Sequence, residues 1–311
     1  MGILYEAIGP IGWGVAAFVL LGLMAFNELG RTTKWGGIVL FVITPVILTI
    51  FVWPKTAAFG NEYGTGYWFT WVKTYSALAG AVGFMLIRYI PSLAKKKGAL
   101  IFPPLILAIN IFEAVLRDFQ LYSYHLWNGG TVENLWVMSG PWNIMNGIAG
   151  ILNIITISGW YGIFVSKDRT KDMIWPDMIW PWIIAYDLWN YAYTYNAFPD
   201  RSFYSGLLLL LSCTIPAFFT KKGAWLQHRA STLSLWAMFV MTAPQVPMRI
   251  FPVRSTHNPK AFFAVSFAAL VANVAVAIYH FYRIRKYNLN PLKDEIYKGT
   301  KAYQKAVEEN M

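Results

Sequence analysis

Cys213 is the only thiol in 311 residues. A lone cysteine excludes an internal disulfide, a thiolate metal cluster and a paired-thiol redox motif. The four histidines, His125, His228, His257 and His280, lie on separate stretches with no pair at ligand spacing, so no metal site is expected. Neither a glycine-rich phosphate loop nor a Gly-x-Ser-x-Gly elbow occurs, and no cofactor is expected. Charge is scarce too. Only 13% of the residues are Asp, Glu, Lys or Arg, about half the share of a soluble domain.

Apolar residues fill the gap: 57% are hydrophobic and 17% aromatic, which places the chain in the polytopic membrane class. A net charge of +11 would suggest nucleic acid in a soluble protein. In a membrane protein it reads first as the Lys and Arg excess of cytoplasmic loops, so the expected partner is the lipid bilayer, with no nucleic acid. The N-terminus has no basic start and no small-residue cleavage site, so its first apolar run reads as a mature helix.

Nine runs have the length of a membrane span: residues 11–29, 36–53, 67–90, 99–117, 140–165, 175–197, 203–220, 225–248 and 261–283. The expected fold is all-α, a polytopic membrane helix bundle of about nine transmembrane helices. Residues 1–286 form its single domain and 287–311 an amphipathic, solvated tail.

Charge sets the expected orientation. The exits of the odd-numbered runs carry Arg31, Lys34, Arg88, Lys95, Lys96, Lys97, Lys167, Arg169, Lys171, Lys221, Lys222, Arg283, Arg285 and Lys286, which with Arg229 makes 15. The opposite linkers carry Lys55, Arg117, Arg201, Arg249, Arg254 and Lys260, which is 6. The positive-inside rule then puts the N-terminus outside and the C-terminus in the cytoplasm. A short interfacial helix is compatible with the linker 247–260. The tandem Asp172-Met-Ile-Trp-Pro and Asp177-Met-Ile-Trp-Pro reads as the entry to the sixth span, with each Asp able to cap a helix and Trp175, Trp180 and Trp182 at the interface.

Against this apolar background, four runs carry polar stripes at helical spacing. They are Lys73, Ser76, Gly80 and Gly83; Asn110, Glu113 and Arg117; Asn143, Asn146, Gly147, Gly150 and Asn153; and Asp187, Asn190, Tyr191 and Thr194. By rise per residue, Lys73, Glu113, Asn146, Asp187 and Asn190 lie roughly 8–12 Å below the outer surface of a core about 30 Å thick. Asn110 and Asn153 lie near its middle. This describes a polar cavity open outward over a dry floor. Glu113 and Arg117, four apart, can pair within their helix, leaving Lys73 and Asp187 for a contact between helices. The glycines permit close packing of the third and fifth spans. The aromatic run Tyr186, Trp189, Tyr191, Tyr193, Tyr195 beside Asp187 reads either as an interface belt or as a cage for an organic cation.

The stretches Asn110-Ile-Phe-Glu-Ala-Val-Leu-Arg-Asp-Phe-Gln120, Pro141-Trp-Asn-Ile-Met-Asn-Gly-Ile-Ala-Gly150, Tyr186-Asp-Leu-Trp-Asn190 and Lys222-Gly-Ala-Trp-Leu-Gln-His-Arg229 resemble a bacterial polytopic membrane family known only as a domain of unknown function. The resemblance runs the length of the chain. It implies the bacterial inner membrane and supplies no activity and no functional residues.

From the residues alone, the expected function is to bind and transport a small polar solute. Glu113 and Asp187 would select charge or carry protons, Lys73 and Arg117 would partner them or contact an anion, and Asn110, Asn143, Asn146, Asn153, Asn190, Tyr191 and Thr194 would line the site. The alternatives are an intramembrane enzyme acting on a lipid, with Glu113 or Asp187 as general acid or base, and a sensor or assembly subunit whose polar layer is structural.

Overall fold

The computed structural model describes residues 2–311 and is predominantly helical, with only two short hairpins of strand. The principal helices are α1 (Pro10–Thr32), α2 (Lys34–Thr56), α3 (Trp68–Tyr89), α4 (Ala99–Ser123), α5 (Pro141–Ile155), α6 (Trp180–Ala197), α7 (Phe203–Phe219), α8 (Trp225–Thr242) and α9 (Pro259–Tyr287). Each overlaps one of the nine apolar runs. A short α10 (Lys301–Glu308) ends the chain, and a short helical turn, Val246–Ile250, follows α8 near the expected interfacial helix.

The helices alternate in direction. Arg88, at the end of α3, donates to the carbonyl of Arg31 at the end of α1. At the opposite side of the bundle, Trp53 near the end of α2 donates to Thr242 at the end of α8. α2 contains widened π-helical turns at Val39–Ile43 and Leu48–Val52, flanking Pro45, whose ring cannot donate a helical hydrogen bond.

Four helices, α1, α2, α4 and α9, are long and apolar enough to cross a membrane, and α7 is apolar but shorter. The first two face outward, with Ile11, Phe18, Leu21, Val46 and Phe51 exposed. α6 and α8 lie in the interior, where Trp182, Trp189, Trp225, Gln227, His228 and Arg229 are all buried. Position in the bundle explains the difference. A rim helix must present apolar side chains to lipid, whereas a central one can hide polar groups against its neighbours.

The fifth run departs from expectation. α5 stops at Ile155, and at ~1.5 Å per residue its 15 residues reach about 22 Å, short of a core about 30 Å thick. Residues 156–179 form a loop carrying a hairpin of β3 and β4, Phe164–Val165 paired with Met173–Ile174, while a separate hairpin of β1 (Gly130–Val132) and β2 (Leu135–Val137) follows α4. Gly159 turns the chain with φ +66°, and any Cβ there would strike the Asp177 side chain at 2.4 Å.

Asp172 and Asp177 therefore cap nothing; Ile179 precedes α6. Asp172 is fully buried and accepts from Arg31 Nη1 at 2.6 Å, Gln227 Nε2 at 2.7 Å and Thr170 Oγ1 at 2.6 Å, with Arg88 Nη2 at 3.7 Å. It ties the ends of α1 and α3 and the start of α8 to one hairpin. Asp177 accepts from the backbone N–H groups of Ile296 and Tyr297 at 3.1 and 2.8 Å and from Ser158 Oγ at 2.7 Å. The tail is thus docked rather than free in solvent, with Ile296, Tyr297, Tyr303 and Ala306 buried. Of the three expected interface tryptophans only Trp180 is exposed; Trp175 and Trp182 are core.

The glycines also meet other partners than expected. A Cβ on Gly83 would lie 2.0 Å from the Phe102 ring, and one on Gly147 or Gly150 would strike Phe119 or Val115. All three positions pack on α4, which sits between the third and fifth helices.

Candidate functional site

The polar residues divide into three groups around α4. In the first, Lys73 Nζ donates to the carbonyl of Asn110 at 2.6 Å and reaches Glu113 Oε2 at 3.3 Å. Ser76 Oγ donates to the same Glu113 oxygen at 3.2 Å. Glu113 therefore pairs with Lys73 across helices and not with Arg117 along its own. Arg117 instead forms a bidentate pair with Glu133, at 2.7 and 3.3 Å, and donates to Gln120. Glu133 belongs to the turn of the β1–β2 hairpin, which folds this charge back over the helix end.

The second group centres on Asp118, the residue after Arg117 and fully buried. Its carboxylate accepts from three amides: Asn146 Nδ2 at 2.7 Å, Asn196 Nδ2 at 3.0 Å and Asn143 Nδ2 at 3.3 Å. Asn143 also caps the start of α5 by accepting from Gly140 N–H. Two of the asparagines expected to orient a ligand are thus committed to a carboxylate. Asn153 is fully buried with neither end of its amide bonded, and it lies outside this cluster.

The third group lies between α6, α7 and α8. Arg229 donates to Asn190 Oδ1 at 3.0 Å and to Tyr186 Oη at 3.4 Å. Asp187 accepts from Thr214 Oγ1 at 2.6 Å, so the expected contact with Lys73 is not made. Tyr191 turns away, its hydroxyl sharing a hydrogen bond with Tyr5 at 2.8 Å.

The first and third groups border a pocket of about 100 Å³ at the end of the bundle carrying the β1–β2 hairpin. Four of the sequence candidates line it: Lys73, Arg117, Asn190 and Thr194. Glu113 stands behind Lys73, and Asn110 borders a deeper space. Asn143, Asn146, Asn153, Asp187 and Tyr191 are not among the lining residues. The lining adds Tyr193, from the aromatic run, and Glu133, Arg201, Ser205, Arg229 and Trp236, which were not singled out from sequence as site residues. Arg229 could have been, since it stands inside an apolar run as Glu113 does.

The charge balance of the lining is one-sided: Lys73, Arg117, Arg201 and Arg229 against Glu133 alone. Glu133 holds Arg117, Glu113 holds Lys73, and Asp200 holds His257 Nε2 at 2.9 Å. Asp187, in the same group as Arg229, accepts from Thr214 through one oxygen and forms no ion pair, and its other oxygen is unpartnered. Among the described residues, neither Arg201 nor Arg229 has an ion-pair partner. Arg201 Nε, Arg229 Nη1 and the Tyr193 hydroxyl are buried with no hydrogen-bond partner.

The aromatic rings do not form an empty cage. Arg229 lies over Tyr186 at 5.9 Å, Arg201 over Phe198 at 5.2 Å and Lys73 Nζ over Phe69 at 5.9 Å. Phe198, Tyr193 and Phe69 pack on one another in turn. Of the five rings expected to form a cage, Tyr186 is covered by the protein's own Arg229, and Trp189, Tyr193 and Tyr195 are buried.

A family described as a family of unknown function (DUF5692) matches residues 6–309. No curated protein and no solved structure matches the chain.

Proposed function

The chain belongs to DUF5692, a family of unknown function, and we propose from its own geometry that it binds a small anionic solute as the first step in carrying it across a membrane. One observation carries this reading: two buried guanidiniums, Arg201 and Arg229, border the pocket with no carboxylate at ion-pair distance. An unpaired buried charge is unfavourable by several kcal/mol, so it persists where something else compensates it. An oxyanion or carboxylate does so, because each guanidinium presents a planar fork of donors to paired oxygens.

The Tyr193 hydroxyl, also unpartnered, supplies a further donor. The pocket, about 100 Å³, suits a small ligand. In the orientation expected from loop charge, the pocket opens outward. The enzyme alternative finds less support, since the carboxylates it would use, Glu113 and Asp187, bond to other side chains and do not line the pocket.

The test is thermal unfolding of the purified protein in detergent with phosphate, sulfate, pyruvate and, as the opposite sign, choline. One or more anions should raise the melting temperature, and choline should not. Arg201→Met should raise the melting temperature without ligand, by removing an unpaired buried charge, while abolishing the response to anions. If no anion stabilises the protein, or if Arg201→Met and Arg229→Met respond as the parent does, the proposal fails.

A further inference from the structure

Below the pocket lies a second space. A cavity of about 30 Å³ sits deeper between α3, α4 and α8, and Arg229 and Leu233 line both. Its other polar walls are Ser76, Asn110 and Tyr186. The same three helices line the two spaces in sequence along their lengths. α3 presents Lys73 above and Gly80 and Phe84 below; α4 presents Arg117 above and Asn110 and Ile106 below. On α8, Trp236 faces the pocket and Leu226 the deeper cavity, with Arg229 between.

At the inner end the space closes on aromatic rings. Phe84 is buried and meets Phe102 edge to face at 6.0 Å between centroids. Phe102 in turn lies directly over Gly83, so close that no Cβ fits there. Past this pair, α3 continues to Arg88 and the Asp172 cluster at the opposite end of the bundle.

The geometry points to a permeation route for the anion between α3, α4 and α8. In this route Arg229 passes the anion from the pocket to the deeper cavity, and the Phe84–Phe102 pair is the closed inner gate. This rests on the anion reading of the pocket. The deeper cavity holds about one water's volume, so a polyatomic anion enters it only when the gate rings move. An arginine bordering both spaces keeps a donor on the anion through the transfer, which avoids leaving it desolvated and unpaired between stations.

Gly80 allows the route to be tested apart from the pocket, because it lines only the deeper cavity. A Cβ there would meet Ala230 at 3.6 Å and Ile106 at 3.7 Å, ordinary contacts, so Gly80→Ala serves as a folded control. Gly80→Leu should fill the cavity. The experiment reconstitutes the full chain in liposomes and measures uptake of radiolabelled phosphate, sulfate and pyruvate, alongside binding of the same compounds to the detergent-purified protein.

The expected result is uptake of at least one probe by the parent and by Gly80→Ala. Gly80→Leu should lose most of this uptake while its binding stays within about twofold of the parent's. Phe84→Ala should speed uptake with binding unchanged. Binding without uptake in the parent, or parental uptake in Gly80→Leu, overturns the route and leaves the pocket standing. Binding of none of the three probes overturns the pocket reading and the route with it.

Discussion

Replacing Asp172 by Asn tests how the bundle is held at the end away from the pocket. The carboxylate is fully buried and stands within 4.0 Å of three cations, Arg31, Arg88 and Lys221. Breaking a buried ion pair from one side costs about 3–5 kcal/mol, because the remaining charge is left uncompensated. Here the low end applies. Arg31 keeps Glu28 at 2.6 Å, Lys221 keeps its contact with Asp168, and Arg88 keeps the carbonyls of Arg31, Thr170 and Lys171. A loss of about 3 kcal/mol lowers the melting temperature by about 5–10 °C in a chain of this size.

The assay is tryptophan fluorescence during thermal unfolding in detergent. Glu28→Gln, at the exposed edge of the same cluster, serves as a control that should shift by less than about 2 °C. Acid adds a second readout. Burial alone would raise the Asp172 carboxyl, but the Thr170 hydrogen bond, Arg31, Gln227 and Arg88 together outweigh it and hold the group below its usual value of 3.8. A carboxyl lowered on folding contributes stability that is present above the unfolded value and lost as the pH falls through the folded one. The parent should therefore weaken steadily below about pH 4, and Asp172→Asn should show a flatter acid limb. A melting temperature within 2 °C of the parent's, or an unchanged acid limb, would refute the assignment of this carboxylate as the clasp.

Three further outcomes follow from the same geometry. Asp118→Asn keeps the shape but sets an amide among the Asn143, Asn146 and Asn196 amides. It should destabilise the protein by about 1–3 kcal/mol through unmatched donors, read as a lower melting temperature with anion binding retained. Asp177→Ala removes the acceptor for the Ile296 and Tyr297 N–H groups, so limited proteolysis should cut the tail after residue 287 faster than in the parent while the helical core survives. Gly150→Ala places a methyl 2.4 Å from Val115 Cγ2 and 2.7 Å from Trp189 Nε1. It should cost about 1–3 kcal/mol by overpacking, again measured by thermal unfolding.

Some expectations held because they rest on local physics. Runs of apolar residues with a Lys- or Gly-containing break specify helices wherever they are placed, and a helix overlaps each of the nine runs, four of these helices being long and apolar enough to cross a membrane. Pairing did not follow from spacing. Arg117 stands four residues from Glu113, yet the hairpin brings Glu133 to it, and a bidentate fork outweighs a contact along a helix face. Arg201 and Arg229 were counted with the charge of the loops, although both are buried in the pocket wall. The repeated Asp-Met-Ile-Trp-Pro looked like a helix entry because its residues suit one. Arg31 and Gln227 claimed the first carboxylate and the tail the second instead.

Composition and periodicity alone thus determined that the chain is predominantly helical, where its principal helices lie along the chain, and that some are apolar enough to cross a membrane. These depend on each segment's own hydrophobicity, which acts without reference to neighbours. Only the tertiary structure decided which charges neutralise one another. Lys73, Glu113, Arg117, Glu133 and Asp118 satisfy each other or nearby amides, and Arg201 and Arg229 are left over. Burial makes that remainder matter, because a charge away from water must find its partner at hydrogen-bond distance, and distance across helices is not written in sequence separation.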